Sequence, residues 1–172
     1  MPQYQDFGFQ PPPRLEAVAQ HADEKEGNCN HATIMLRFAA DRESRDGVFG
    51  SDRPLRVLES FSDHIARSER RLVVTITSGM GSLADNTSGG SIAYRSSKAA
   101  VNMVMRSAAI DLALRGIACV LVNPGWARTD MGGPKAPLSP QESVTAMRPL
   151  IEAFGANQSG KLYNYDGREY PW

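Results

Sequence analysis

Long apolar runs, clustered cysteines and an excess of charge of either sign are all missing from these 172 residues. Lys and Arg number 19, Asp and Glu number 19, and the formal net charge is 0. No global field draws such a chain onto phosphate backbones or anionic lipid, so nucleic-acid and membrane partners are not expected. The two cysteines, Cys29 and Cys119, lie far apart and outside any CxxC or Cys/His ligand spacing. That argues against a disulfide framework and a zinc site, and both thiols are read as reduced. His21, His31 and His64 are scattered, none with carboxylates or cysteines at ligand spacing, so no metal is expected. No run reaches the length of a membrane helix, and Met1–Asp6 offers no basic start before an apolar core. The expected compartment is the cytoplasm. The length suits one domain of ordinary size.

What is present divides into two unlike parts. Residues 1–50 mix polar, charged and turn-forming residues (Pro11-Pro12-Pro13, Asp23 to Asn28), with one short apolar run from Thr33 to Phe38. This part reads as irregular or degenerate. Residues 51–172 alternate apolar runs of strand length with stretches of helical period, in the order α–β–α–β–α–β.

In the first helical stretch, Pro54 to Ser68, Leu58, Phe61 and Ile65 form one stripe. Arg67, Arg70 and Arg71 at its end suit the negative pole of that helix; Glu69 interrupts them, which disfavours a nucleic-acid patch. Leu72 to Thr77 is continuous and β-branched, as a strand covered on both faces requires, and Ala118 to Asn123 repeats that character. The helix joining them spans Ala93 to Arg115 and stops at Gly116. Its expected buried stripe is Val101, Val104, Met105, Ala108 and Leu112, and the same steps taken backward reach Lys98 and Tyr94. A last helix opens on the capping box Ser139-Pro140-Gln141-Glu142, is expected to bury Val144, Met147, Ile151 and Phe154, and stops at Gly155. Gly160 to Tyr165 reads as a final strand. The fold class that follows is α/β, a partial, doubly wound parallel sheet of Rossmann-like kind without a recognisable N-terminal βαβ unit.

Tyr94 and Lys98 stand four residues apart at the start of a helix, so both project from one face and can meet the same small molecule. A tyrosine hydroxyl ordinarily ionises near pH 10, about three units above neutrality, and a fixed ammonium nearby favours its ionised form. Lys98 can supply that charge. Ser78 falls just past the preceding strand, where sheets of this type place their ligand-facing loops, and its hydroxyl can hold a carbonyl oxygen. Taken alone, a Tyr-x-x-x-Lys pair is common on helices whose tyrosine packs and whose lysine reaches water. The context raises its weight: the pair begins an apolar-striped helix, follows a strand ending in Thr77-Ser78-Gly79-Met80-Gly81, and precedes one ending in Asn123-Pro124-Gly125.

Taken in order, Thr77 to Ser82, Tyr94 to Ala100 and Asn123 to Thr129 resemble the serine strand end, the YxxxK helix and the PGxxxT loop of the short-chain dehydrogenase/reductases. Asp130 to Gly133 and Tyr165 to Trp172 look like the C-factor and sniffer-type carbonyl reductases within that family. The resemblance covers residues 54–172. It implies Tyr94 as general acid/base, Lys98 on the nicotinamide-ribose hydroxyls and Ser78 orienting a carbonyl. Pro124, Gly125, Trp126 and Thr129 would complete a nicotinamide site, with Thr129 holding the carboxamide. The implied cofactor is NAD or NADP and the implied partner a small carbonyl or alcohol substrate; the helices at Pro54 to Ser68 and Ala93 to Arg115 correspond to dimer contacts in the family, which is consistent with a homo-oligomer.

The likeness has a gap. The family's TGxxxGxG turn, whose helix N-terminus receives the pyrophosphate, has no counterpart here: Gly8, Gly27 and Gly47 are the only glycines before residue 50. Gly50 to Arg53 stands where a fourth catalytic residue, an asparagine, precedes the first helix in relatives. Two readings follow. The chain is an NAD(P)-dependent oxidoreductase, or a truncated, catalytically silent relative that acts, if at all, through protein association. In either case the flank of Leu72 to Thr77 must be covered by residues 1–50 or by another chain.

Overall fold

The computed structural model describes residues 33–37 and 53–172. The expectation of an irregular N-terminal segment lies, apart from one strand, outside the described residues. Among the described residues, four strands form one sheet in the order β1 (Thr33–Arg37), β2 (Leu72–Ile76), β3 (Ala118–Asn123), β4 (Leu162–Asn164). All neighbours run parallel, with Thr33 beside Leu72, Leu72 beside Ala118 and Leu121 beside Leu162. Among the described residues, the helices between them are α1 (Arg53–Arg67), α2 (Ile92–Asp111) and α3 (Pro140–Ala153). The apolar run that begins at Thr33 is therefore a sheet strand, and it occupies the flank of β2 that the sequence left in want of cover.

Parallel strands need crossovers, and alternate residues of β2 and β3 serve opposite faces. Val73, Cys119 and Leu121 pack with Leu58 and Ile65 of α1 and Val101 and Met105 of α2. Leu72, Val74, Val120 and Val122 pack with Met147 of α3 and with Phe154 just beyond it. β3 is buried along its whole length, the reason it reads as an unbroken apolar run. Each large side chain so covered contributes on the order of 1.5–3 kcal/mol.

Several local expectations change. The joining helix is shorter than expected, closing at Asp111 before a 3-10 turn over Ala113–Arg115 and Gly116. Its buried face carries Asn102 and Ala109, whereas Val104 and Leu112 are only half-buried. Val144 is 53% exposed, because in α3 the inward positions of the first two turns fall on Ser143 and Met147. The capping box forms as expected: the Ser139 hydroxyl accepts from the Glu142 amide, and the Glu142 carboxylate from the Ser139 amide. One of the arginines after α1 also reaches across the sheet. Arg70 donates to the carbonyls of Ile151 at 2.7 Å and Glu152 at 3.2 Å, the terminal acceptors of α3.

Candidate active site

The three sequence motifs converge on one edge of the sheet because parallel strands deliver all their carboxyl ends to the same side. β2 ends at Ile76, and Thr77 and Ser78 lead into a 3-10 turn over Gly79–Gly81 that packs on α2. β3 ends at Asn123 and opens into the loop from Pro124 to Leu138. α2 packs on the turn that follows β2 and on β3.

On α2, Tyr94 is half-buried and Lys98 is 6% exposed. The Lys98 Nζ lies 5.5 Å from the centroid of the Tyr94 ring. The two side chains thus meet, as their spacing predicts, and the ammonium stands close to an electron-rich aromatic face. Burial pushes the Lys98 pKa below its ordinary 10.5, since a desolvated cation is penalised. The start of α2 is held in an unusual way. Its N-cap, Ser91, has φ 47° and makes no side-chain cap bond. Arg95 reaches back instead, donating to the Gly89 and Gly90 carbonyls at 3.1 Å each and to Ser88 Oγ at 3.0 Å. The exposed loop before Tyr94 is thereby latched to the helix that carries it.

Ser78 is half-buried, and its Oγ accepts from the Met80 amide at 3.2 Å. A hydroxyl so engaged through one lone pair keeps its proton for a second partner. Thr129 is exposed and similar, with Oγ1 accepting from Gly132 N at 3.2 Å. Trp126, 57% exposed, donates from Nε1 to the Gly132 carbonyl at 2.8 Å. Pro124 is tied to α3 through its carbonyl, which accepts from Ser143 Oγ at 2.6 Å. Gly125 has φ 75°, and a Cβ there would lie 2.7 Å from Leu138 and Tyr165, so this turn admits only glycine.

Sequence reasoning missed Asn102. It lies one turn beyond Lys98, is 1% exposed, and its Oδ1 accepts from Thr77 Oγ1 at 2.8 Å. The available signal was a polar residue at i+4 from Lys98 inside an apolar stripe. The sequence marks Tyr165 to Trp172 only as part of the resemblance; its last three residues, Tyr170–Trp172, lie against the Ser78 turn.

The donor set of phenol, ammonium, two hydroxyls and a glycine turn, on one sheet edge, fits the nicotinamide-ribose end of a dinucleotide. Among the described residues no group of three or more His, Cys, Asp or Glu is placed to hold a metal ion, and no helix is long and apolar enough to cross a membrane.

The comparisons agree with this architecture. The family model for short chain dehydrogenases matches residues 54–138. C-signal of Myxococcus xanthus is 46% identical over 119 residues, covering 69% of this chain and 72% of that protein. A short-chain dehydrogenase/reductase from Burkholderia multivorans, solved with bound NADP, superposes with a TM-score of 0.69 at 33% identity, over 81% of this chain and 66% of that one. The carbonyl reductase Sniffer of D. melanogaster gives 0.68 at 27% identity, over 83% of this chain and 64% of its own. The chain thus spans less than two thirds of Sniffer. With the motifs in order, the sheet parallel and 46% identity to C-signal over 119 residues, this chain belongs to the short-chain dehydrogenase/reductase family.

Proposed function

We propose that the chain is an NAD(P)-dependent oxidoreductase of small carbonyl or alcohol substrates, with residues 51–172 as its catalytic half. The observation that carries this reading is the meeting of Lys98 Nζ with the Tyr94 ring at 5.5 Å, on the sheet edge that also bears Ser78. When bound, NADH or NADPH would supply the hydride that the carbonyl carbon takes up. Ser78 keeps its proton and donates a hydrogen bond to the carbonyl oxygen, which fixes the reacting group and draws charge toward that oxygen. Tyr94 delivers a proton to the same oxygen as the C–O π pair becomes a lone pair, and in the alcohol direction takes it back. Lys98 stabilises the resulting negative charge on the Tyr94 oxygen and would donate to the ribose hydroxyls. Thr129 and the Pro124-Gly125-Trp126 turn would hold the carboxamide.

Consumption of NADPH and NADH with a panel of small aldehydes and ketones tests this directly. Tyr94→Phe should lower turnover about 10²- to 10⁴-fold while leaving the fold intact. Unchanged turnover in that variant removes the mechanism.

One observation favours a second reading, in which the isolated chain is catalytically silent: residues 1–50 hold no glycine-rich turn for a pyrophosphate. Titration of NADPH followed by nicotinamide fluorescence separates the two, and saturable micromolar binding rejects silence. Ile92, Met103 and Ile110 stand exposed along α2 and support self-association under either reading.

A further inference from the structure

We infer that the segment Tyr170–Trp172 is a positioning clamp for the turn that carries Ser78. As a statement about catalysis this rests on the role proposed for Ser78; as a statement about geometry it stands by itself. The turn over Gly79–Gly81 is a single 3-10 turn, a structure too short to hold one conformation by its own hydrogen bonds. Three contacts fasten it and the residues after it to the clamp. Ser82, 2% exposed, donates from Oγ to the Pro171 carbonyl at 2.5 Å. The Ala84 amide donates to the Trp172 carbonyl at 2.9 Å. The Tyr170 ring lies so close to Gly79 that a Cβ there would stand 2.7 Å from Cζ and Oη, which explains glycine directly after Ser78.

The clamp is itself anchored. The Tyr170 amide donates to the Leu162 carbonyl of β4 at 2.7 Å. The Trp172 ring lies 5.7 Å from the guanidinium carbon of Arg106, and Arg106 donates to the Gly160 carbonyl at 2.6 Å. The segment therefore bridges β4 and α2 to the turn at the end of β2. Were it displaced, the buried Ser82 hydroxyl would lose its acceptor and the turn its packing against Tyr170. Ser78 Oγ, bound to the Met80 amide of the same turn, would move with it.

The test uses the full chain without cofactor. In Tyr170→Ala, amide exchange at Gly81, Ser82 and Ala84 should quicken about tenfold and the Ser78 and Gly79 resonances should shift, whereas Tyr170→Phe, which keeps the ring, should restore both. Ser82→Ala, which deletes one hydroxyl, should also quicken exchange at Ala84, and it carries the test should Tyr170→Ala fail to fold. Gly79→Ala should perturb the Ser78 resonance in the unaltered chain and much less in the Tyr170→Ala background, where the ring has gone. Exchange at these amides unchanged in the folded variants, or no relief of Gly79→Ala by Tyr170→Ala, overturns the clamp. If the unaltered chain turns over carbonyl substrates, Tyr170→Ala should lower kcat about tenfold with KM for NADPH unchanged. A chain with no turnover at all would defeat the reading of Ser78, while the exchange data would still decide the clamp.

Discussion

Thr77 Oγ1 donates to Asn102 Oδ1 at 2.8 Å, joining the strand end before Ser78 to the helix turn after Lys98. Both residues are buried, and Asn102 Nδ2 has no hydrogen-bond partner among the described residues. A lone buried bond of this sort stabilises little in net terms, yet breaking it strands a polar atom.

Thr77→Val should therefore cost about 1–3 kcal/mol, because it leaves the Asn102 carbonyl oxygen without its donor. Adding Asn102→Leu should return part of that loss, since the pair then becomes apolar together. Urea midpoints of the two single variants and the double would show it; strictly additive losses would mean that the two side chains act independently.

Lys98 links stability to pH. Burial lowers its folded pKa below 10.5, so between that lowered value and 10.5 the unfolded chain holds more protons, and this residue's contribution to stability rises with pH. Relative to Lys98→Met, the native chain should gain in unfolding free energy from neutral pH toward 10.5. Denaturant titrations at the two pH values check this, and a native chain that instead loses ground with rising pH contradicts it.

Cys119 runs the other way. Burial pushes its thiol from 9.0 up to about 12, so its contribution is complete below 9.0 and is lost as pH rises toward about 12. Its thiolate fraction near neutrality is about a thousandfold below that of an ordinary cysteine. In a Cys29→Ser background, disulfide-exchange reagents should label Cys119 only as fast as the chain unfolds. Rapid labelling of folded protein would show a thiol that solvent reaches.

The cap of α3 gives a simpler measurement. Ser139→Ala removes the acceptor of the Glu142 amide, a bond of 3.1 Å, and should lower stability by about 1 kcal/mol. Thermal unfolding followed by circular dichroism would reveal it, and an unchanged midpoint would mean that the cap frays in solution.

Much of this was legible because each signal was local. The β-branched run at Leu72, the Tyr94 and Lys98 spacing and the Ser139 capping box depend on residues within a few positions of one another. Asn102 and Arg70 were not legible in the same way. Asn102 is meaningful only beside Thr77, 25 residues away, and Arg70 only beside Ile151, 81 residues away. Periodicity could place them on a helix or after one but could not name a partner across the sheet. Val144 failed for another reason: the helical period fixes which residues share a face, and the inward rotation of α3 is set by contacts with β2 and β3.

Arg70 fastens the chain just ahead of β2 to the last carbonyls of α3, at the end of the sheet away from Ser78 and Tyr94. The helical layers on the two faces are consequently bolted together at their base. Slow breathing of the molecule should open the rim where the motifs gather before it loosens the foot, so a small molecule would enter from the yielding end of an otherwise stiff sandwich.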